Sequence, residues 1–309
     1  MQIGSVTFFK KLILRSILVV MVFLVVVLVL LLMYNARLRH DVETLGQDLQ
    51  EMQSLVAQLQ GQGTGTEPIP DGNLLNNPSS DEPSFAYQAM YPDLYCEPPA
   101  AFVPTEGKVA YITIDDGLSP YTTQILDALA ANNTKATFFV VGRNLQGREE
   151  LLRRIVDEGH ALGIHSYSHE LTEIYDSVDA FLADYNLVYE QIKEMTGQET
   201  TIFRFPGGSI NSYNTTTYQN IIAEMTRRGF TYFDWNISAE DANTSANYDN
   251  VYSRLIGSYA QYERAHILMH EKSFTVAVLD GLIPSMRQNG YRFELLDNTV
   301  RPVMFGYSP

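Results

Sequence analysis

From Lys108 onward the chain alternates short apolar runs with helix-like stretches, and this rhythm leaves few folds open. The runs are 109–114, 136–141, 161–164, 201–205, 230–235, 266–269 and 292–296. Between them lie the helix-like segments 119–132, 146–159, 177–196, 214–229, 247–263 and 273–289, several closed by Gly159, Gly197, Gly229 and Gly290. Such alternation specifies a parallel sheet with covering helices, open or closed into a barrel. Parallel α/β folds keep their chemistry just past the carboxyl ends of the strands, so those residues are the ones to read.

The first hundred residues are of another kind. Residues 16–36 are uncharged and dominated by Val, Leu, Ile, Met and Phe. At about 1.5 Å per residue they reach across a hydrocarbon core of roughly 30 Å. Lys10, Lys11 and Arg15 precede the run, and Arg37 and Arg39 follow it. This mild bias favours a cytoplasmic N-terminus (1–15) and a single-pass anchor in the cell membrane. A cleaved signal peptide would have a shorter apolar core ending in small residues, whereas this run ends Leu32-Met33-Tyr34-Asn35.

Within 37–60, Leu38, Val42, Leu45, Leu49, Met52, Val56 and Leu59 step alternately by four and three. This a/d seam suits a coiled-coil homodimer through 38–59, or equally a solvated stalk helix that Gly46 weakens. Residues 61–100 are rich in Gly, Pro, Asn and Ser and read as a linker. Its later aromatics (Phe85, Tyr87, Tyr91, Tyr95) can lie against the domain that follows, 101–309.

Charge and cysteine content narrow the partners. Residues 1–40 carry five Lys/Arg and no acid, so the remainder holds 16 Lys/Arg against 36 Asp/Glu, a net of −20. Such a body repels phosphate backbones, and nucleic acid is excluded as a partner. Cys96 is the single cysteine, so no internal disulfide exists.

Polar residues cluster after successive runs. Asp115-Asp116-Gly117 follows the first. Adjacent strand residues point to opposite faces, so one acid can ligate a metal while the other handles a proton; the plain alternative is an Asp-Gly turn. His165 and His169 follow the third run, and a four-residue step converges two rings if the segment turns helically. Taken alone, such a pair is more often a core or surface feature. With Asp116 it makes a set that leaves coordination positions open, as a hydrolytic metal needs. Arg204-Phe205-Pro206-Gly207-Gly208 lies at the fourth run. A buried arginine needs an anion, for which Asp115 is the candidate, and the glycines let N–H groups approach a ligand. Trp235 and Asp241 lie near the fifth, and His270 ends the sixth as a candidate general acid.

These stretches, in this order over about 108–296, resemble the polysaccharide deacetylase family, also called NodB-homology or carbohydrate esterase family 4. Thr113-Ile114-Asp115-Asp116-Gly117 is similar to its first motif, with Ile114 where Phe is usual, and His165 to His169 to its second. Arg204 to Gly208, Trp235 to Ala242 and Leu268-Met269-His270 are similar to the other three. The resemblance implies an irregular seven-stranded (β/α) barrel. It implies Asp116, His165 and His169 as ligands of a divalent metal, zinc first, with Co2+, Mn2+ or Ni2+ as alternatives. It further implies Asp115 as general base, Arg204 as its orienting partner and Gly207 N–H as oxyanion donor. His270 becomes the acid paired with Asp241, and Trp235, Pro206 and Leu268 line a substrate groove. Gly207 and Ala242 stand where many members carry Tyr and Trp, which alters groove contacts rather than the proton-transfer set.

The expected reaction is hydrolysis of an N-acetyl amide on a polysaccharide, yielding an amine and acetate. An anchored, outward-facing domain on a stalk points to peptidoglycan, at N-acetylglucosamine or N-acetylmuramic acid. Alternatives are an exopolysaccharide, chitin oligomers or acetylated xylan, or a non-catalytic wall-binding or assembly protein. A two-carboxylate glycosidase does not fit, because adjacent acids cannot bracket a bond at the required separation of roughly 5–9.5 Å.

Overall fold

A computed structural model describes residues 85–306. The expected anchor (16–36), the stalk (37–60) and most of the linker lie outside the described residues. Among the described residues no helix is long and apolar enough to cross a membrane.

The elements in chain order are β1 (Val109–Gly117), α1 (Thr122–Ala131), β2 (Thr137–Val141), α2 (Glu149–Asp157), β3 (Ala161–Ser166) and a one-turn helix α3 (Leu171–Ile174). Then follow α4 (Val178–Thr196), β4 (Ile202–Phe203), α5 (Tyr218–Arg227), β5 (Thr231–Tyr232), β6 (Ile237–Ser238), α6 (Tyr248–Ser258), β7 (Arg264–His270), α7 (Thr275–Gln288) and β8 (Arg292–Phe293). All strand pairings are parallel, in the order β5-β4-β3-β2-β1-β7-β6, with β8 attached to the start of β1.

This is a parallel half-barrel of the α/β class, and it gives the expected irregular seven-stranded barrel two particulars. Among the described residues no pairing joins β5 to β6, so the ladder stays open there. An eighth strand, β6, was not expected: Ile237-Ser238 is only two residues long, one of them polar, and makes no apolar run.

β1 shows how the pattern builds both sides of the sheet. Side chains alternate along a strand. Ala110, Ile112 and Ile114 pack into the layer shared with the helices, while Val109 and Tyr111 join Phe139, Ile202, Phe233 and Leu296 inside the barrel. Thr113 and Asp115 continue that inner row toward the carboxyl end. The inner wall is therefore apolar at its floor and polar at its mouth.

The segment from Phe85 to Cys96 is bound into the domain chiefly by Arg228, with Arg227 adding bonds to the Gln88 carbonyl and Tyr95 Oη. Arg228, fully buried, donates to the carbonyls of Tyr87, Met90, Tyr91 and Leu94 at 2.8–3.2 Å and pairs with buried Glu224 at 2.7 Å. Gly229, with φ +91°, lets the strap pass: a Cβ there would lie 2.0 Å from the Cys96 carbonyl oxygen. Cys96 itself is half-buried, and burial pushes its thiol up to about 12.

Removing one partner of a buried charge pair costs roughly 3–5 kcal/mol. Arg228→Ala is therefore expected to lower unfolding stability by about that amount in denaturant titrations. Amide exchange should rise first in 85–96; unchanged protection there would show that the guanidinium does not hold the strap.

Candidate active site

Asp115 and Arg204 form the inner half of the site. Arg204 is fully buried between the ring of Phe139 (4.3 Å) and that of Trp235 (5.7 Å). Its Nη1 donates to Asp115 Oδ1 at 2.9 Å and Thr113 Oγ1 at 2.6 Å, and its Nε donates to the Phe233 carbonyl at 2.8 Å. The anion expected for a buried arginine is thus Asp115. With Oδ1 held, Oδ2 is the free oxygen, 3.9 Å from His165 Nε2.

Asp116 reaches the same centre by a different route from the one expected. Strand alternation would send it to the opposite face from Asp115. Instead the β1–β2 register slips between Asp115 and Gly117, so Asp116 is a bulge residue, and its φ of +67° swings the carboxylate back to the mouth. Asn144 Nδ2 secures the turn by donating to the Asp116 carbonyl at 3.0 Å. β3 bulges likewise: Val141 pairs with Ser166 after Val140 pairs with Ile164, leaving His165 as the extra residue.

His165 and His169 converge with ring centroids 5.1 Å apart, but not on a helix. His165 ends a strand, and His169 follows a turn with φ +56°. The turn is built around Asp184 of α4, which sequence reasoning missed. Its carboxylate accepts from Ser166 Oγ (2.6 Å), Tyr167 N–H (2.7 Å), Ser168 N–H (2.8 Å) and Ser168 Oγ (2.7 Å). Ser166 Oγ in turn accepts from His169 N–H at 2.8 Å. The signal was there: Asp184 lies on the helix face that buries Phe181, Leu182, Tyr185 and Val188, where an acid needs donors.

Asp116 Oδ1 lies 3.5 Å from His165 Nε2 and 3.3 Å from His169 Nε2, and one ligand atom from each residue lies within 4.8 Å of the others. His165 Nδ1 sits 3.0 Å from the Arg204 carbonyl, which only accepts, so Nδ1 carries the proton and Nε2 presents a lone pair. Burial holds the His165 imidazole below its ordinary pKa, toward the neutral form a ligand needs. For Asp116, burial raises the pKa, but the imidazoles of His165, His169 and His270 and the Lys272 ammonium outweigh it and keep it low. Yet Asp116 Oδ1 is buried with no hydrogen-bond donor. Lone pairs facing one another in this way fit a cation between them, and the donor set suits a divalent ion. These three residues are a candidate metal site.

His270 completes the mouth from the end of β7. Its Nδ1 is 2.7 Å from Asp241 Oδ1, its N–H donates to Asp241 Oδ2 at 2.7 Å, and its Nε2 faces Asp116 Oδ2 at 3.9 Å. Burial alone would lower this imidazole's pKa. The Asp241 hydrogen bond and the charges of Asp115, Asp241 and Asp116 outweigh it and hold it above its ordinary value. The next residue, Glu271, ties β7 to the exit of β1, accepting from Ser119 N–H and Oγ and from Thr122 Oγ1.

The remaining predicted residues line the surroundings. Pro206 is buried, and its carbonyl accepts from Tyr175 Oη at 2.8 Å. Gly207 is exposed, with φ +77°, and among the described residues its N–H has no acceptor. Leu268 lies opposite Thr113 in the β1–β7 register, 6% exposed. Trp235 is half-buried beside Arg204.

A mouth of this kind on a parallel half-barrel defines a hydrolase of the polysaccharide deacetylase class. Comparison with known proteins agrees. The family profile described as polysaccharide deacetylase matches residues 102–235. The chain is 32% identical over 200 residues to a protein named putative polysaccharide deacetylase YheN of Bacillus subtilis, covering 63% of this chain and 70% of that one. It is 30% identical over 209 residues to a peptidoglycan-N-acetylglucosamine deacetylase of Bacillus cereus, covering 63% and 72%. The crystal structure of the catalytic domain of peptidoglycan N-acetylglucosamine deacetylase from Eubacterium rectale superposes with a TM-score of 0.65 at 32% identity, covering 68% of this chain and 98% of that one. The chain belongs to the polysaccharide deacetylase family.

Residues that orient a metal ligand typically change affinity 10–100-fold when altered. Asp184→Asn places an amide against the Ser168 N–H, so a loss of about that size is expected in competition with a chromogenic chelator. Wild-type affinity in the variant would mean the histidine turn holds without it.

Proposed function

We propose that the domain hydrolyses the N-acetyl amide of peptidoglycan amino sugars, N-acetylglucosamine first, releasing acetate. The observation that carries this reading is the buried, donorless Asp116 Oδ1 facing two imidazoles, between a fixed acid on one side and a charged histidine on the other. The names of the relatives support peptidoglycan as the polymer.

Asp116, His165 and His169 are the residues that would hold the ion. The chemistry it supplies when bound is polarisation of the amide carbonyl and acidification of water. A His₂Asp set is compatible with zinc, and with Co2+, Mn2+ or Ni2+. Asp115 takes the proton of the attacking water on Oδ2 while Arg204 holds Oδ1. The Gly207 N–H is the donor left over for charge building on the carbonyl oxygen. His270 delivers its Nε2 proton to the departing nitrogen as the C–N bond breaks, and Asp241 holds its Nδ1. Pro206, Leu268 and Trp235 shape the groove around the acetyl group and sugar. The apolar run 16–36 with its basic flanks supports a membrane anchor that carries the domain outside the cell. The heptad seam 38–59 supports a dimeric stalk.

Acetate release from peptidoglycan by 85–309, with and without chelator, tests the reaction; no release from peptidoglycan, chitin oligomers or acetylated xylan would remove it. Asp115→Asn should keep metal affinity and lose about 10²–10⁴-fold in kcat. Near wild-type turnover in that variant would exclude Asp115 as the base.

The pH dependence follows from His270. Its pKa lies above 6.5, so the protonated acid persists above that pH and activity falls as pH rises through the raised value. Asp241→Asn removes the leading stabiliser of the charged form. The alkaline limb of kcat should therefore move to lower pH, and an unmoved limb would assign it to another group.

A further inference from the structure

The loop that follows Arg204 is a tight turn, and the donors around it settle which way one peptide faces. Gly208 N–H donates to the Phe205 carbonyl at 2.9 Å, with Pro206 and Gly207 between them and a φ of +77° at Gly207. Proline at the second position and a left-handed glycine at the third make this a type II turn. Its central peptide, Pro206–Gly207, is trans, so its carbonyl and its N–H point in opposite directions. Rotating that peptide by about 180° gives a type I turn, and glycine accepts either sign of φ. Gly207 alone therefore does not fix the side to which its N–H is presented.

Two side chains do. Tyr175 Oη donates to the Pro206 carbonyl at 2.8 Å, and Asn211 Nδ2 donates to it at 3.3 Å and to the Gly208 carbonyl at 3.0 Å. Asn211 Oδ1 accepts from Tyr213 N–H at 2.9 Å, which sets its amide this way round. Tyr175 is buried, with the Phe181 and Phe205 rings 6.2 and 6.4 Å away between centroids. Burial pushes the pKa of its hydroxyl up, so it stays a donor. It stands at the end of α3, just beyond the turn that carries His169, so the phenol links the candidate metal-binding loop to the loop after Arg204. With the carbonyl held on one side, the Gly207 N–H, which has no acceptor among the described residues, faces the other. A carbonyl that accepts hydrogen bonds also makes the N–H of its own peptide a stronger donor.

We propose that Tyr175 and Asn211 are positioning residues for the oxyanion donor: they hold the Pro206–Gly207 peptide in the orientation that presents the Gly207 N–H to the substrate carbonyl oxygen. This rests on the reading of the domain as a deacetylase with Gly207 as its donor, and it adds two residues outside the five sequence motifs. Charge builds on that oxygen only in the transition state, so a lost orientation lowers kcat and kcat/KM together and leaves KM alone.

The test uses the full chain with Tyr175→Phe, which keeps the ring, Asn211→Ala, which removes the amide donor, and both together. Pro206-Gly207 is the only Pro-Gly step in the sequence, so carbonyl-labelled proline with nitrogen-labelled glycine gives a single amide signal in heteronuclear NMR. A hydrogen bond to a carbonyl deshields its peptide group, so Tyr175→Phe should move that signal upfield. Each single variant should lower kcat for acetate release about tenfold, and the double variant should approach the roughly 10²–10³-fold loss typical of removing one oxyanion donor. KM and metal affinity should stay unchanged. A moved signal with unchanged kcat would overturn the assignment. So would a rise in KM or a fall in metal affinity large enough to account for the loss, which would make the pair part of the scaffold. Acetate release by the wild type with an unmoved signal in Tyr175→Phe would sink this assignment alone, whereas no release by the wild type would sink the deacetylase reading and the assignment with it.

Discussion

A guanidinium taken out of water must have its donors met, and Arg204 meets that demand by binding the ends of three separate strands. Its side chain joins Thr113 and Asp115 of β1 to the Phe233 carbonyl beyond β5, while it stands itself at the end of β4. Its own carbonyl fixes the His165 proton and accepts from Tyr185 Oη. One residue therefore holds the proposed base, sets the tautomer of a proposed ligand and closes the top of the inner wall. Such a buried pair adds little net stability compared with an apolar core, but breaking it leaves an uncompensated charge. Its value lies in position.

The site is built where the backbone departs from regular geometry. Asp116 and His165 are bulge residues, and Asp116 and His169 have left-handed φ values. Non-glycine residues in such conformations cost of order 1–3 kcal/mol each and persist only where the surroundings over-determine them. Asn144 does this for Asp116, and Asp184 with Ser166 does it for His169. The departures bring carboxylate and imidazoles to one point that regular strands would have kept on different faces.

Electrostatics divide the labour among neighbouring groups. Burial keeps His165 toward neutrality, whereas Asp241 and the acids of the mouth hold the His270 pKa above its ordinary value. The two imidazoles that face Asp116 are thus suited to opposite proposed purposes, one as a lone-pair donor and one as a proton donor. The open edge between β5 and β6 is where the tail is held by Asp234 and Phe305 meets Trp235.

Much of this was legible in the order of residues. Long elements such as β1 and α4 announce themselves by periodicity, because burial on one side imposes a period of two or 3.6. The acids, histidines and arginine at the strand ends could be named as a set. Shorter or more distant features could not. β6 is too brief to show a pattern, and the sheet could be read only as open or closed, because alternation says nothing about whether the last strands meet. Asp184 reaches Ser166 and Ser168, and Phe305 reaches Trp235, across separations at which local pattern carries no information. What the chain alone determined was the strand–helix rhythm and the chemical types waiting at its turns. The aim of each side chain was decided only in three dimensions. Bulges, left-handed residues and buried hydrogen bonds orient groups through partners that lie far off in the sequence.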